Sequence, residues 1–170
     1  MHKLRYTPGD PEEGLRAALE GMAGPGPVYV LGLGYVDKAD DGAGVLVAET
    51  LQKTFPQFSF SEHDGVEGTV LDISERPGPG TVFFVDATEL HEAPGTVVVV
   101  PRAMINDREI TTHRVAVALM AAILERSGKT SAVICIQPGT LEFRAGISGQ
   151  VSSTIETLSR ALRHLMLKRN

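Results

Sequence analysis

The 170-residue chain has one cysteine, Cys135, and no tryptophan. A single thiol closes no internal disulfide and anchors no cysteine-rich zinc site. Its setting in the apolar run Ser131-Ala132-Val133-Ile134-Cys135-Ile136 marks it as a buried, inert group. An excess of basic residues is also missing: 16 Lys and Arg stand against 21 Asp and Glu, a formal net charge of −5. Sequence-independent binding of nucleic acid would work against that charge, so nucleic acid is set aside as a partner. Long hydrophobic runs are absent too. The longest strictly apolar stretch, Val115 to Leu124, is half of the roughly 20 residues needed to cross a bilayer, so no membrane insertion is expected. The opening residues, MHKLRYTPGDPEEG, carry charge but no apolar signal core and no small-residue cleavage site, which predicts a cytoplasmic protein.

What remains is 42% apolar, enough for an ordinary core in one domain over residues 1–170. Asp10 followed by Pro11, Glu12 and Glu13 has the order of an N-cap, a first-turn proline and acids at a helix's positive end. Leu15, Leu19 and Met22 then recur at helical spacing. After the break Gly24-Pro25-Gly26-Pro27, Val28 to Leu31 reads as a buried strand that ends at Gly32-Leu33-Gly34. From about Asp41 a helix follows, with Val45, Ala48, Leu51 and Phe55 on one face. Strands are expected at Phe58 to Ser61, Thr81 to Val85, Thr96 to Val100 and Ser131 to Ile136. Helices are expected at Thr69 to Ser74, His113 to Arg126 and along the stripe Val151, Ile155, Leu158, Leu162 and Leu165. Arg102 to Thr112 is polar and irregular, a candidate functional loop. Uniformly apolar strands alternating with helices predict a three-layer α/β/α sandwich with a mostly parallel twisted sheet. Ligands of such sheets bind beyond the carboxyl ends of the strands, which directs attention to the loops after Leu31, Ser61, Val85 and Val100.

The first of these loops carries Asp37, Asp40 and Asp41. A dinucleotide fingerprint needs a third glycine where Asp37 stands, and three carboxylates repel a phosphate. The loop suits a cation or a hydrogen-bond donor, although one of Asp40 and Asp41 could simply cap the helix. The second loop sets Asp64 before Gly65, a pattern that turn chemistry alone also explains. The fourth ends in Thr111-Thr112-His113, an imidazole at a helix start that could equally be a structural donor. Taken jointly, two aspartates and a histidine delivered by separate loops to one sheet edge form an oxygen and nitrogen ligand set for a transition metal.

These residues also carry a resemblance. Gly32-Leu33-Gly34 with Asp40-Asp41-Gly42-Ala43-Gly44, Asp64-Gly65 with Gly68, Val85-Asp86-Ala87-Thr88 before Pro94-Gly95-Thr96, Thr111-Thr112-His113, and Ile136-Gln137-Pro138 follow one another as in the hydrogenase maturation endopeptidases. That family removes a C-terminal tail from the large-subunit precursor of nickel-iron hydrogenases, and the Thr-Thr-His and Asp-Asp-Gly-Ala-Gly forms resemble its formate-hydrogenlyase-type branch. The resemblance implies that Asp41, Asp64 and His113 contact the metal, and that the nickel arrives already bound to the precursor. Two positions depart from the pattern: Tyr35 stands where the family has Asn, and Val66-Glu67 where it has a second glycine.

No familiar nucleophile is in place. Gly146-Ile147-Ser148-Gly149 is not the nucleophile elbow, Cys135 is expected mid-strand, and no His-Glu-x-x-His occurs. Peptide hydrolysis would need a water activated by a carboxylate or a metal, with Asp41 and Asp64 as the catalytic candidates and nothing to choose between them. His63 is either a partner of Asp64 or an exposed loop residue. Two rival functions are a non-catalytic metal-sensing module for a metalloprotein precursor and a small-molecule hydrolase with a bound divalent metal.

Overall fold

In the computed structural model, backbone is described for residues 4–104 and 112–170 and side chains for residues 5–104 and 116–170. The chain runs β1 (Leu4–Tyr6), α1 (Glu12–Met22), β2 (Val28–Gly32), α2 (Ala43–Gln52), β3 (Ser59–Ser61), α3 (Val66–Glu75), β4 (Thr81–Ala87), β5 (Val97–Pro101), α4 (Thr112–Arg126), β6 (Thr130–Ile136) and α5 (Gly149–Arg169). Short 3-10 turns at Val36–Gly42 and Glu62–Asp64 link β2 to α2 and β3 to α3.

The six strands form one sheet in the order β1-β5-β6-β4-β2-β3. β2, β3, β4 and β6 are parallel neighbours, and β5 pairs antiparallel with both β6 and β1. Alternate residues of the central strands feed two cores. Val28, Val30, Phe83, Val85, Ile134 and Ile136 pack with α1, α2 and α5, while Tyr29, Leu31, Val82 and Phe84 pack with α3 and α4. Helices thus cover both faces, which is why β2 is buried at every position and carries no polar alternation. The three expected layers are present. On the first face Glu12 of α1 accepts from Arg16 at 2.6 Å and from Arg160 of α5 at 3.2 Å, tying the two helices together.

Five corrections to the expected elements follow. β1 was not foreseen, because three residues are too few to show a period. Asp10 does not cap α1: its carboxylate takes the Thr7 amide at 2.7 Å, and Pro11 occupies the cap position. α2 begins at Ala43 rather than Asp41, with a turn in front of it, and α3 is longer than Thr69 to Ser74. The reversal of β5 is the correction that matters most for the site. Its carboxyl end, Pro101, pairs with Ala132 near the start of β6, so the segment after Val100 leaves from the opposite edge to the loops after β2, β3 and β4. Of the Arg102 to Thr112 loop, Arg102–Met104 forms a 3-10 turn and residues 105–111 lie outside the described residues.

Candidate functional site

Beyond β2 the chain turns sharply at Gly34, whose φ is +118°. A side chain there is impossible on two grounds: the backbone region disfavours L-residues, and a Cβ would stand 1.9 Å from the Asp41 carbonyl oxygen. The second glycine of Gly32-Leu33-Gly34 therefore serves a close backbone approach to Asp41 rather than a phosphate. Tyr35 then donates its amide to Asp41 Oδ2 at 2.9 Å. Asp41 Oδ1 has no partner among the described residues, and the side chain is half-buried.

The neighbouring Asp40 behaves differently. It is 0% exposed and accepts four hydrogen bonds: Gly139 and Thr140 amides on Oδ2 at 2.7 and 3.0 Å, the Ser148 hydroxyl on Oδ2 at 2.8 Å, and the Ser148 amide on Oδ1 at 2.7 Å. Its own amide donates to the Thr140 carbonyl at 3.2 Å. Ala39, just before it, holds φ +49° and ψ −122°, a strained conformation that persists only where surroundings fix it. Neither aspartate caps α2, whose cap position is Gly42.

The second turn follows the edge strand β3. Asp64 Oδ2 accepts the Ser61 amide at 2.8 Å and Gln52 Nε2 at 3.2 Å, with a longer contact from Ser61 Oγ at 3.5 Å. All three fall on one oxygen, so Oδ1 has no partner among the described residues and the group is exposed. Glu62, two residues earlier, reaches across to the Gly34 amide at 3.4 Å. Carboxylates from the two turns thus sit on the successive amides of Gly34 and Tyr35, which places the turns bearing Asp41 and Asp64 side by side at the carboxyl edge of β2 and β3. His63 pairs with Glu49 of α2 at 3.1 Å in an exposed position.

His113 falls in the first turn of α4, and its side chain lies outside the described residues. α4 leads through Gly128 and Lys129 into the start of β6 and so runs opposite to it. Its length, 15 residues, is about 22 Å at 1.5 Å per residue, close to that of the strand. This direction returns its first turn toward the edge where β2 and β4 end, even though β5 ends at the other edge. Among the described residues no three His, Cys, Asp or Glu side chains form a metal-holding group. Two carboxylates with an unengaged oxygen each can accept a proton from water or bind a cation lent by a ligand.

Sequence reasoning named Asp41 and Asp64 but passed over Glu62 and Gln52. Glu62 stood in view, adjacent to His63 and Asp64. Gln52 carries no signal, since only the packing of α2 beside β3 brings its amide to Asp64. A cavity of about 570 Å³ opens at the far edge of the sheet, among Met22, Pro101, Arg102, Lys129 and Ser131, away from all these residues. Lys129 there is buried, which depresses its ammonium pKa, and Arg76 adds to the effect.

No family model matches the chain, and no curated protein matches it. Solved structures do. The NiFe hydrogenase maturation protease HycI from Thermococcus kodakarensis is 24% identical with a TM-score of 0.74, over 88% of this chain and 99% of that one. The endopeptidase HycI from Escherichia coli is 23% identical with a TM-score of 0.64, over 81% and 90%. The hydrogenase maturating endopeptidase HybD from Escherichia coli is 23% identical with a TM-score of 0.62, over 84% and 93%. The likeness establishes that this chain shares their α/β fold.

Proposed function

We propose that this protein is an endopeptidase that removes the C-terminal extension of a nickel-loaded NiFe-hydrogenase large-subunit precursor in the cytoplasm. The observation that carries this reading is the fold shared with HycI and HybD over most of the chain. The adjoining turns of Asp41 and Asp64 at the carboxyl edge of the sheet support it.

The nucleophile in this reading is water. Cys135, expected mid-strand, lies one residue from the carboxyl end of β6 and is 7% exposed, and the Ser148 hydroxyl is committed to Asp40, so neither presents an activated group to a peptide. The free oxygen of Asp41 or Asp64 takes a proton as water attacks the scissile carbonyl. The same proton passes to the amide nitrogen as the C–N bond breaks. Asp41, Asp64 and His113 also contact the nickel that the precursor carries. The metal is part of the substrate, and its contact makes docking conditional on loading.

Incubating the protein with nickel-loaded and nickel-free precursor, and weighing the products by mass spectrometry, tests the reading. One cut near the C-terminus of the loaded form alone is expected. Docking without any cut would point to the metal-sensing module instead, and cleavage of the nickel-free form would remove the metal from recognition. Among the described residues no helix is long and apolar enough to cross a membrane.

A further inference from the structure

We propose that Asp40 is a positioning residue that holds residues 139–148 against the turn bearing Asp41, so that Leu141 and Phe143 meet the polypeptide substrate beside the cut bond. This rests on the peptidase reading above. Asp40 is fully buried and none of its partners among the described residues is a cation; its four donors there are three backbone amides and one hydroxyl, all from 139–148. Such a carboxylate is not replaceable by its amide, because an Nδ2 group would face an N–H donor whichever way it turned. A second tie runs alongside, the Arg144 amide donating to the Asp37 carbonyl at 2.7 Å. The segment so held carries two solvent-facing apolar side chains, Leu141 at 52% and Phe143 at 63% exposure, and the turn it is tied to opens with two more, Tyr35 at 53% and Val36 at 42%. Four of the seven large hydrophobic side chains exposed among the described residues therefore lie on these two linked segments, while Leu71, Leu119 and Leu167 lie on α3, α4 and α5. The link between the segments passes through the residue adjoining Asp41, which ties the segment bearing Leu141 and Phe143 to the turn bearing Asp41.

The test uses the full chain and nickel-loaded precursor. Phe143→Ala leaves the buried core untouched, and Asp40→Asn and Gly139→Ala disturb the tie from its two sides; a Cβ at Gly139 would stand 3.3 Å from Asp40 Oδ2 and 3.0 Å from Ser148 Oγ. KM is expected to rise about fivefold or more in each variant with kcat within about twofold. Asp40→Asn combined with Phe143→Ala should be no worse than the poorer single variant, since both act through one segment. Faster amide exchange in 139–148 is expected in Asp40→Asn. A rise in KM without a fall in kcat separates positioning from loss of folded protein. Cleavage by the wild type with KM unchanged in Phe143→Ala and Gly139→Ala would overturn the inference alone. No cleavage by the wild type would overturn the peptidase reading and this inference with it.

Discussion

Asp40 and Asp41 are consecutive in the chain, and their carboxylates have separate partners: four donors from residues 139–148 for the first, the Tyr35 amide for the second. The stability cost of removing each group should differ accordingly. Asp40→Ala leaves several buried donors unpaired and should cost about 3 kcal/mol or more, whereas Asp41→Asn should cost about 1 kcal/mol or less. Urea midpoints at constant slope measure both. Equal losses would mean that Asp41 is a structural residue.

Activity should be far more sensitive than stability at both turns. Asp41→Asn is expected to abolish processing of the loaded precursor with the fold retained. Asp64→Asn should also lose processing while costing about 1 kcal/mol, the scale of a lost turn cap, because Ser61 and Gln52 keep one oxygen engaged. Circular dichroism beside the cleavage assay separates the two quantities.

Metal affinity offers an independent check on His113. The isolated protein is expected to bind nickel, zinc or cadmium weakly through Asp41, Asp64 and His113, an open set that substrate would complete. Calorimetric titration should show affinity falling about tenfold or more in His113→Ala, as for loss of a ligand. Equal affinity in wild type and variant would count against this assignment.

The pH dependence has a contribution from Glu12. Burial alone would raise its carboxyl pKa, but the hydrogen bonds from Arg16 and Arg160 outweigh this and hold it below its ordinary value of 4.5. A depressed folded-state value means that the stabilisation is complete above 4.5 and is lost as pH falls through the lower value. Wild type should therefore lose about 0.5 to 1 kcal/mol more than Glu12→Gln on acidification below that point, with the partly exposed pair screened accordingly. Parallel stability curves for the two proteins would show the bridge between α1 and α5 to be energetically idle.

Gly44 gives a packing prediction. A Cβ there would stand 2.1 Å from the Val85 carbonyl oxygen and 2.6 Å from that of Leu33, both backbone atoms that cannot swing aside. Gly44→Ala should cost about 3 kcal/mol through overpacking, visible as a lower thermal midpoint. A variant as stable as wild type would show that α2 can lift from β4.

The sequence made the layers readable because uniformly apolar strands such as Val28 to Leu31 and Thr81 to Val85 have only one stable setting, between two helical faces. Asp41 and Asp64 were readable because both stand directly before a glycine in the turns that follow strands. The direction of β5 was not, since Val97 to Val100 would look the same running either way; only its pairing with β6 sets it. Nor was the role of Asp40, whose partners lie 99 to 108 residues away and carry no local pattern of their own.

That separation has a consequence for the order of events during synthesis. A nascent chain ended anywhere between Asp64 and Gly139 already contains Asp41 and Asp64, yet Asp40 has none of its four donors to fix the strained turn at Ala39. Ribosomes deliver the amino-terminal parts first. The two carboxylate turns are therefore translated early and locked late, so the chain finishes its candidate catalytic edge only after residues 139–148 have been made.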